Sequence, residues 1–133
     1  MREGGCLCGA IRFVTWGDLR PVIGCHCVQC RKTSGHYVAA TSVRRSDLTV
    51  TGPVAWYQSS AHAKRGFCGT CGSSLFWEGE MSDRVSIHAG AFDGPTGLRL
   101  AGHIFVADKG DYYTIEGDVP QAAQCDSNLT TRW

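Results

Sequence analysis

The stretch FCGTCGS, residues 67–73, carries the pattern from which the fold can be argued. It holds Cys68 and Cys71 two residues apart, and a glycine follows each of them. Glycine lets the backbone turn tightly and direct its amides at a sulfur atom. A second pair, Cys6 and Cys8, stands near the start of the chain and is followed by Gly9. Either pair alone also fits two buried free thiols, but together they predict a four-thiolate zinc site that holds the sheet together.

Eight cysteines in 133 residues are the most informative feature of the composition. The N-terminus, MREGGCLCG, lacks the apolar core of a secretory signal, so we predict a cytoplasmic protein. In a reducing cytosol, closely spaced cysteines are typical of metal ligands rather than disulfides. A Cys-x-Cys spacing also suits disulfide geometry poorly.

A third group of cysteines lies in GCHCVQCRK, residues 24–32. Cys25, Cys27 and Cys30 offer three sulfurs from one loop, and no other close pair remains to complete their site. They predict a second zinc ion with an open fourth position, hence two zinc ions per chain. Cys125 lies in a polar segment and fits a free thiol, and His26 fits a structural hydrogen-bonding residue better than a ligand.

The charge of this second site indicates its chemistry. Three thiolates on a zinc dication leave a net charge of about −1, which makes the metal a poor generator of hydroxide and a good partner for a soft ligand such as a thiolate. A thiol held there could attack an electrophilic carbon. Arg31 and Lys32 could offset negative charge on the metal or on an incoming anion, although solvated charges at a loop end are an equally good reading.

Length and charge exclude several classes of protein. A chain of 133 residues is one ordinary domain, and we predict that domain over residues 1–122 with a polar tail at 123–133. A net charge of +1 argues against a nucleic-acid-binding surface. The apolar runs are far shorter than the ~20 residues that a membrane-spanning helix needs.

The chain reads as mainly β, because its seventeen glycines and short apolar runs leave no long helical stripe. A helical turn or two is plausible near residues 28–33. Strands are predicted over residues 10–14, 37–43, 48–50, 54–57, 74–77, 85–88, 103–106 and 112–115.

The order C-x-C, C-x-C-x-x-C, C-x-x-C, set in GGCLCGAIRF, CHCVQCRKTSG, FCGTCGSSLFW and HAGAFDGPTGLRLAGHIF, resembles the glutathione-dependent formaldehyde-activating enzyme (GFA) family. The resemblance covers nearly the whole chain and implies a zinc-binding β-tent of small antiparallel sheets. It implies a structural zinc site at Cys6, Cys8, Cys68 and Cys71, and a catalytic zinc at Cys25, Cys27 and Cys30. It also implies a carbon–sulfur lyase chemistry, the condensation of formaldehyde with glutathione to S-(hydroxymethyl)glutathione.

Other side chains have more ordinary interpretations. Asp93 fits a turn cap, and His103 fits a satisfied structural histidine rather than a proton carrier. His88 lies in a family-like segment, and His36 is a slightly better candidate for a role near the metal. Five aromatic residues are predicted to lie mostly in the core, with one or two left to line a pocket: Trp56, Tyr57, Phe67, Phe76 and Trp77.

Two classes of function therefore remain. One is a zinc-dependent lyase acting on a small-molecule thiol adduct, with glutathione as the leading substrate. The other is a non-catalytic zinc module that binds another protein. The open three-sulfur site favours the enzyme, because a structural module has no use for a vacant position.

Overall fold

The computed structural model describes residues 1–131 and is mainly β, as predicted. Within these residues the chain forms ten strands and two short helices. The strands are β1 (Arg2–Gly5), β2 (Arg12–Thr15), β3 (Val22–Cys25), β4 (Val38–Arg44), β5 (Leu48–Thr51), β6 (Val54–Ser60), β7 (Ala63–Cys68), β8 (Ser74–Gly79), β9 (Arg84–His88) and β10 (Leu100–Ile104). The helices are α1 (Val28–Ser34) and α2 (Ser127–Thr130).

The chain divides into two compact units. The first comprises Met1–Leu19 and Thr41–Gly97, and the second comprises Arg20–Ala40 and the chain from Leu98 onward. Strand β4 contributes residues 38–40 to the second unit and residues 41–44 to the first.

The first unit is built from antiparallel strands around an apolar core. Strands β1, β2 and β5 form one small sheet with β2 in the middle. Strands β9, β8, β7 and β6 follow one another as antiparallel neighbours. Their apolar faces bury Phe13 and Phe76, whose rings meet edge to face at 5.7 Å, and the sulfur-bearing residues Cys6 and Cys68 lie in the same core.

The second unit places one parallel and one antiparallel strand beside β3. Strand β10 pairs with β3 in parallel, and residues 38–40 of β4 pair with it in antiparallel fashion. Helix α1 follows β3 directly and ends at Gly35, whose φ of 82° lies in the left-handed region that glycine adopts without strain. Cys30 is the residue of α1 that is buried, and it packs against Val38 and Ala40.

Most predicted strands are present, but one prediction is wrong. Residues 112–115 form a turn and irregular backbone rather than a strand, because Tyr112 and Tyr113 direct their rings at histidines instead of joining a ladder. The sequence pattern missed β1, β3 and β7. Their residues, REGG, VIGC and AKRGFC, show little regular apolar alternation, and neighbouring strands supply the hydrogen bonds that define them.

The segment predicted as a polar tail makes defined contacts in its described part. Phe105 donates its backbone N–H to the carbonyl of Gln124, and Ala107 donates to the carbonyl of Ala123. Asp126 caps helix α2 by accepting from the N–H of Asn128. The boundary at residue 122 stays a prediction, and its last two residues, 132 and 133, lie outside the described part.

Candidate metal centres

The four cysteines of the two doublets come together in the first unit. Their Sγ atoms all lie within 4.8 Å of one another. Cys6 Sγ is 3.6 Å from Cys8 Sγ, which in turn is 3.8 Å from Cys68 Sγ. Four sulfurs at 2.3 Å from a tetrahedral zinc are separated by about 3.8 Å. The cluster therefore has the dimensions of a four-thiolate metal site.

Backbone amides and one serine support these sulfurs. Ile11 donates its N–H to Cys6 Sγ at 3.2 Å, and Cys71 donates its N–H to Cys68 Sγ at 3.5 Å. Ser73 Oγ lies 3.2 Å from Cys71 Sγ and also accepts the N–H of Leu7 at 3.0 Å. Hydrogen bonds from the side chain and backbone of Ser73 lower the pKa of Cys71 to about 5. Ser73 was missed by the sequence reasoning, although it stands directly after the C-x-x-C-G motif.

Two glycines shape the loops that carry these cysteines. Gly9 has a φ of 83° and Gly72 a φ of 80°, and both follow a cysteine of the cluster. An L side chain is strained in this conformation. The turns predicted from Cys8-Gly9 and Cys71-Gly72 are present, and the amide of Gly72 donates back to the carbonyl of Cys68 at 2.8 Å.

The cysteine triplet lies in the second unit at the junction of β3 and α1. Cys25 ends the strand, Cys27 caps the helix and Cys30 occupies its first turn. Their Sγ atoms also lie within 4.8 Å of one another. Cys27 Sγ accepts the N–H of Cys30 at 3.3 Å, so a thiol occupies the position where a serine or aspartate oxygen usually caps a helix.

The three thiols of the triplet differ in acidity. Hydrogen bonds from the Cys25 and Cys30 thiols lower the pKa of Cys27 to about 2, with further help from the amides of Cys30 and Gln29. Hydrogen bonds with the Cys27 and Cys30 thiols, together with burial, raise the pKa of Cys25. Negative charge in this cluster therefore concentrates on Cys27 when the other thiols keep their protons.

His26 lies between the cysteines in sequence but points into a network of rings. It is fully buried, its Nε2 is 2.9 Å from Nδ1 of His103, and its Nδ1 is hydrogen-bonded to the hydroxyl of Tyr113. Tyr37 stacks on its ring at 4.4 Å. Burial, together with the positive charges of neighbouring groups, lowers the pKa of His26 to about 4. His26 is thus the neutral structural hydrogen-bonding residue that the sequence predicts.

His103 is also satisfied inside the protein, as predicted. Besides its bond to His26, its backbone N–H donates to the carbonyl of Pro120 at 2.9 Å. His36 differs, because it is exposed and its Nδ1 lies 3.0 Å from the hydroxyl of Tyr112. Arg31 is partly buried and Lys32 is exposed.

Several other residues lie away from both clusters. Asp93 pairs with the guanidinium of Arg12, and its carboxylate shows no turn-capping bond among the contacts of the described residues. His88 is partly buried in the first unit. Cys125 is exposed and belongs to neither of the cysteine clusters within residues 1–131.

The aromatic residues predicted for the core divide by strand position. Phe76 on the inner strand β8 is buried, whereas Trp56 and Tyr57 are exposed. Trp56 and Tyr57 lie on β6, which stands at one end of the hydrogen-bonded order of the described strands and pairs with β7. Lys64 Nζ lies over the Trp56 ring, 4.3 Å from its centre. Because both side chains are exposed, the prediction of a core position is wrong for Trp56 and Tyr57. Phe67 and Trp77 are partly buried.

None of the helices in the described part of the chain has the length and apolar character required to cross a membrane. The fold and the two clusters define a small β-rich protein with two groups of cysteines that could hold metal ions. Residues 1–108 match the family of the glutathione-dependent formaldehyde-activating enzyme, and the chain belongs to that family.

Named relatives agree with this membership. The chain is 29% identical over 113 residues to an uncharacterized lyase of Schizosaccharomyces pombe, covering 84% of this chain and 82% of the yeast protein. It is 32% identical over 127 residues to a protein of Halomonas elongata named "putative glutathione-dependent formaldehyde-activating enzyme", covering 86% of this chain and 80% of that protein. A crystal structure of a Rhodobacter sphaeroides protein superposes with a TM-score of 0.57 at 25% identity, covering 90% of this chain and 98% of that one.

Proposed function

We propose that the protein is a zinc-dependent enzyme of the carbon–sulfur lyase type that joins or separates a small thiol and an aldehyde. The observation that carries the proposal is the difference between the two cysteine clusters. One has four sulfurs within 4.8 Å, and the other, in the part of the chain that the structure describes, has three. A three-ligand site leaves one coordination position for a substrate.

The residues present fit zinc at both sites. Thiolate ligands select soft or borderline metals, and zinc accepts both four-sulfur and three-sulfur ligand sets. We assign Cys6, Cys8, Cys68 and Cys71 to a structural zinc, and Cys25, Cys27 and Cys30 to a catalytic zinc. The sulfur separations of 3.6 and 3.8 Å in the first cluster support this assignment, since a tetrahedral site requires about 3.8 Å.

The chemistry requires a thiolate, a carbonyl carbon and a proton. Zinc at the triplet would act as a Lewis acid that coordinates the sulfur and so favours the thiolate form of a bound thiol. As the S–C bond forms, the carbonyl π electrons move to oxygen, and the proton lost by the thiol ends on that oxygen as a hydroxyl. The lyase direction is the reverse, in which the hydroxyl loses its proton and the C–S bond breaks.

The chain's own residues hold the site in place for this reaction. Helix α1 fixes Cys27 and Cys30 relative to each other through the N–H to Sγ bond of 3.3 Å. His26 stays neutral and is held from both ring nitrogens, so the backbone between Cys25 and Cys27 has little freedom to move. This rigidity keeps the three sulfurs ready for a ligand without reorganisation.

Glutathione and formaldehyde are the substrates we propose, with S-(hydroxymethyl)glutathione as the product. Family membership and the name of the Halomonas relative support this choice. The soft three-thiolate site supports a thiol over a water-derived nucleophile. The cytoplasmic location stays a prediction, and it agrees with the reducing conditions that free thiol ligands need.

The test follows adduct formation from glutathione and formaldehyde above the spontaneous rate. Zinc-loaded wild type should accelerate it, Cys27→Ser should not, and Cys125→Ser should match the wild type because Cys125 is exposed and outside both clusters. Equal rates with and without protein would exclude formaldehyde activation. If in addition no thiol changed the spectrum of cobalt-substituted protein, a non-catalytic zinc module that binds another protein would replace the enzyme reading.

A further inference from the structure

Arg31 is the charged side chain closest in sequence to the cysteine triplet, and its backbone is firmly held. It follows Cys30 in helix α1, donates its N–H to the carbonyl of Cys27 at 2.9 Å and accepts the N–H of Gly35 at 2.9 Å. The Cα of Arg31 is therefore fixed relative to the cysteines, and its side chain starts within one helical turn of Cys27.

The guanidinium of Arg31 contains a buried nitrogen without a partner. Its Nε is buried and has no hydrogen-bond partner within the described residues. A buried donor of this kind is costly, and such groups are rare unless a ligand, ion or water satisfies them. The residue as a whole is only partly buried.

Two other basic residues of the same unit are engaged by the protein itself. Arg20 donates to the carbonyl of Ala40 at 2.8 Å and to that of Thr130 at 3.2 Å. Lys109 donates to the carbonyl of Tyr113 at 2.7 Å. These cations have structural roles, whereas the contacts of residues 1–131 assign none to the Arg31 guanidinium.

The chain segment around Arg31 supplies no counter-charge of its own. The segment from Arg20 to Ala40 contains no aspartate or glutamate. The hydroxyl of Tyr113 is hydrogen-bonded to His26, and the charge of the Arg31 guanidinium acts on it. Burial and the neighbouring tyrosines raise the pKa of Tyr113, and the positive charge of Arg31 opposes that rise. Arg31 and Tyr113 are therefore near enough for their charges to interact.

We infer that Arg31 binds the carboxylate of an anionic thiol whose sulfur occupies the triplet site, and so makes the protein selective for thiols that carry an acid group. This inference rests on the proposed function of that site. A guanidinium presents Nε and a terminal nitrogen side by side, and together they match the two oxygens of a carboxylate. Lys32 offers a single exposed ammonium and no such fork, so it serves as the control.

The competing reading is that Arg31 only offsets the negative charge of the cysteine thiolates. The two readings differ in what they predict for a neutral thiol. Charge compensation affects all thiols alike, whereas carboxylate recognition affects only the acid. A matched pair, 3-mercaptopropionate and its methyl ester, isolates this difference because the two compounds share the same thiol arm.

The experiment measures Kd for both thiols by calorimetry on zinc-loaded wild type, Arg31→Gln, Arg31→Lys and Lys32→Gln, at one pH and with zinc content verified. A charge-assisted bidentate contact predicts that Arg31→Gln weakens binding of the acid by about 10- to 100-fold and that of the ester by less than about threefold. Arg31→Lys should recover part of the loss, and Lys32→Gln should change the Kd of either thiol by less than about threefold. The rate of adduct formation with formaldehyde should follow the same order.

The outcomes separate this inference from the proposed function. If the wild type binds both thiols and Arg31→Gln weakens both equally, the carboxylate contact is overturned while the thiol site stands. If the wild type binds neither thiol, the proposed function fails, and the inference fails with it. Should Arg31→Gln not fold, the acid-to-ester preference of the wild type and its change in Arg31→Lys decide the matter, and the absence of any preference would overturn the inference.

Discussion

Replacing one cysteine in each cluster by serine should have opposite consequences for folding and activity. Cys68 is 1% exposed, lies in the core of the first unit and accepts the amide of Cys71. Cys27 is partly buried and caps a short helix. Under the proposed zinc assignment, Cys68→Ser weakens a metal site that stabilises the fold, whereas Cys27→Ser weakens a site that serves catalysis.

The expected magnitudes follow from the number of ligands and the local contacts. A structural zinc contributes about 10–16 kcal/mol of apparent binding free energy to folding, so losing one of the four ligands removes roughly 3–4 kcal/mol. Burying the serine hydroxyl adds about 1 kcal/mol. For a domain of this size the melting temperature should fall by about 15–20 °C. Serine is itself a good helix cap, so Cys27→Ser should cost less than about 1 kcal/mol, or about 4 °C.

Thermal unfolding at stoichiometric zinc measures both changes in melting temperature. Keeping free zinc low limits the stabilisation that zinc binding at the Cys25, Cys27 and Cys30 site adds by mass action. Cys125→Ser is the matched control, since that thiol is exposed and outside both clusters. Equal and large losses of melting temperature in Cys68→Ser and Cys27→Ser would refute the reasoning, because they would show that both clusters are structural.

Three further predictions concern metal content, pH and backbone strain. Elemental analysis should find about two zinc ions per chain, and Cys25→Ser should retain about one; loss of both would contradict separate sites. Burial and the charge of Arg65 lower the pKa of His88 to about 4, so the unfolded chain takes up its proton first as pH falls. Between pH 6.5 and 4 the free energy of unfolding should therefore decrease by roughly 3 kcal/mol more in wild type than in His88→Gln, and equal slopes in urea titrations would contradict this. Gly72→Ala should lower the free energy of unfolding by about 1 kcal/mol, because the φ of Gly72 is 80°. Gly69→Ala should have a smaller effect in the same urea titrations, because the φ of Gly69 is not in the left-handed region. The reverse order would argue against strain at Gly72.

Much of the site could be predicted from local spacing. Cys25, Cys27 and Cys30 are so close in sequence that any compact loop brings their sulfurs near one another, whatever the rest of the fold does. Glycines after cysteines predicted the tight turns at Gly9 and Gly72. The composition predicted a mainly β chain, because no apolar stripe was long enough for a stable helix.

Joining the two doublets required more than spacing. Cys8 and Cys68 are 60 residues apart, and the sequence related them only through the ligand count of a metal site. Their sulfurs meet because β1 and β7 end in loops on the same unit, and Ser73 links those loops through Leu7 and Cys71. That placement depends on strand pairing, which a linear pattern does not encode when the strands lack alternation.

The sequence by itself determined which residues can hold metal, because ligand chemistry and short loops act locally. Only the tertiary structure decided what surrounds them. His26 meets His103 and Tyr113 across 77 and 87 residues, and the second of these partners was expected in a strand. The unsatisfied Nε of Arg31 likewise becomes visible only when its neighbours are in place. The burial of an atom and the number of its hydrogen-bond partners depend on which distant segments of the chain pack against it and exclude water. They are therefore set by the tertiary structure.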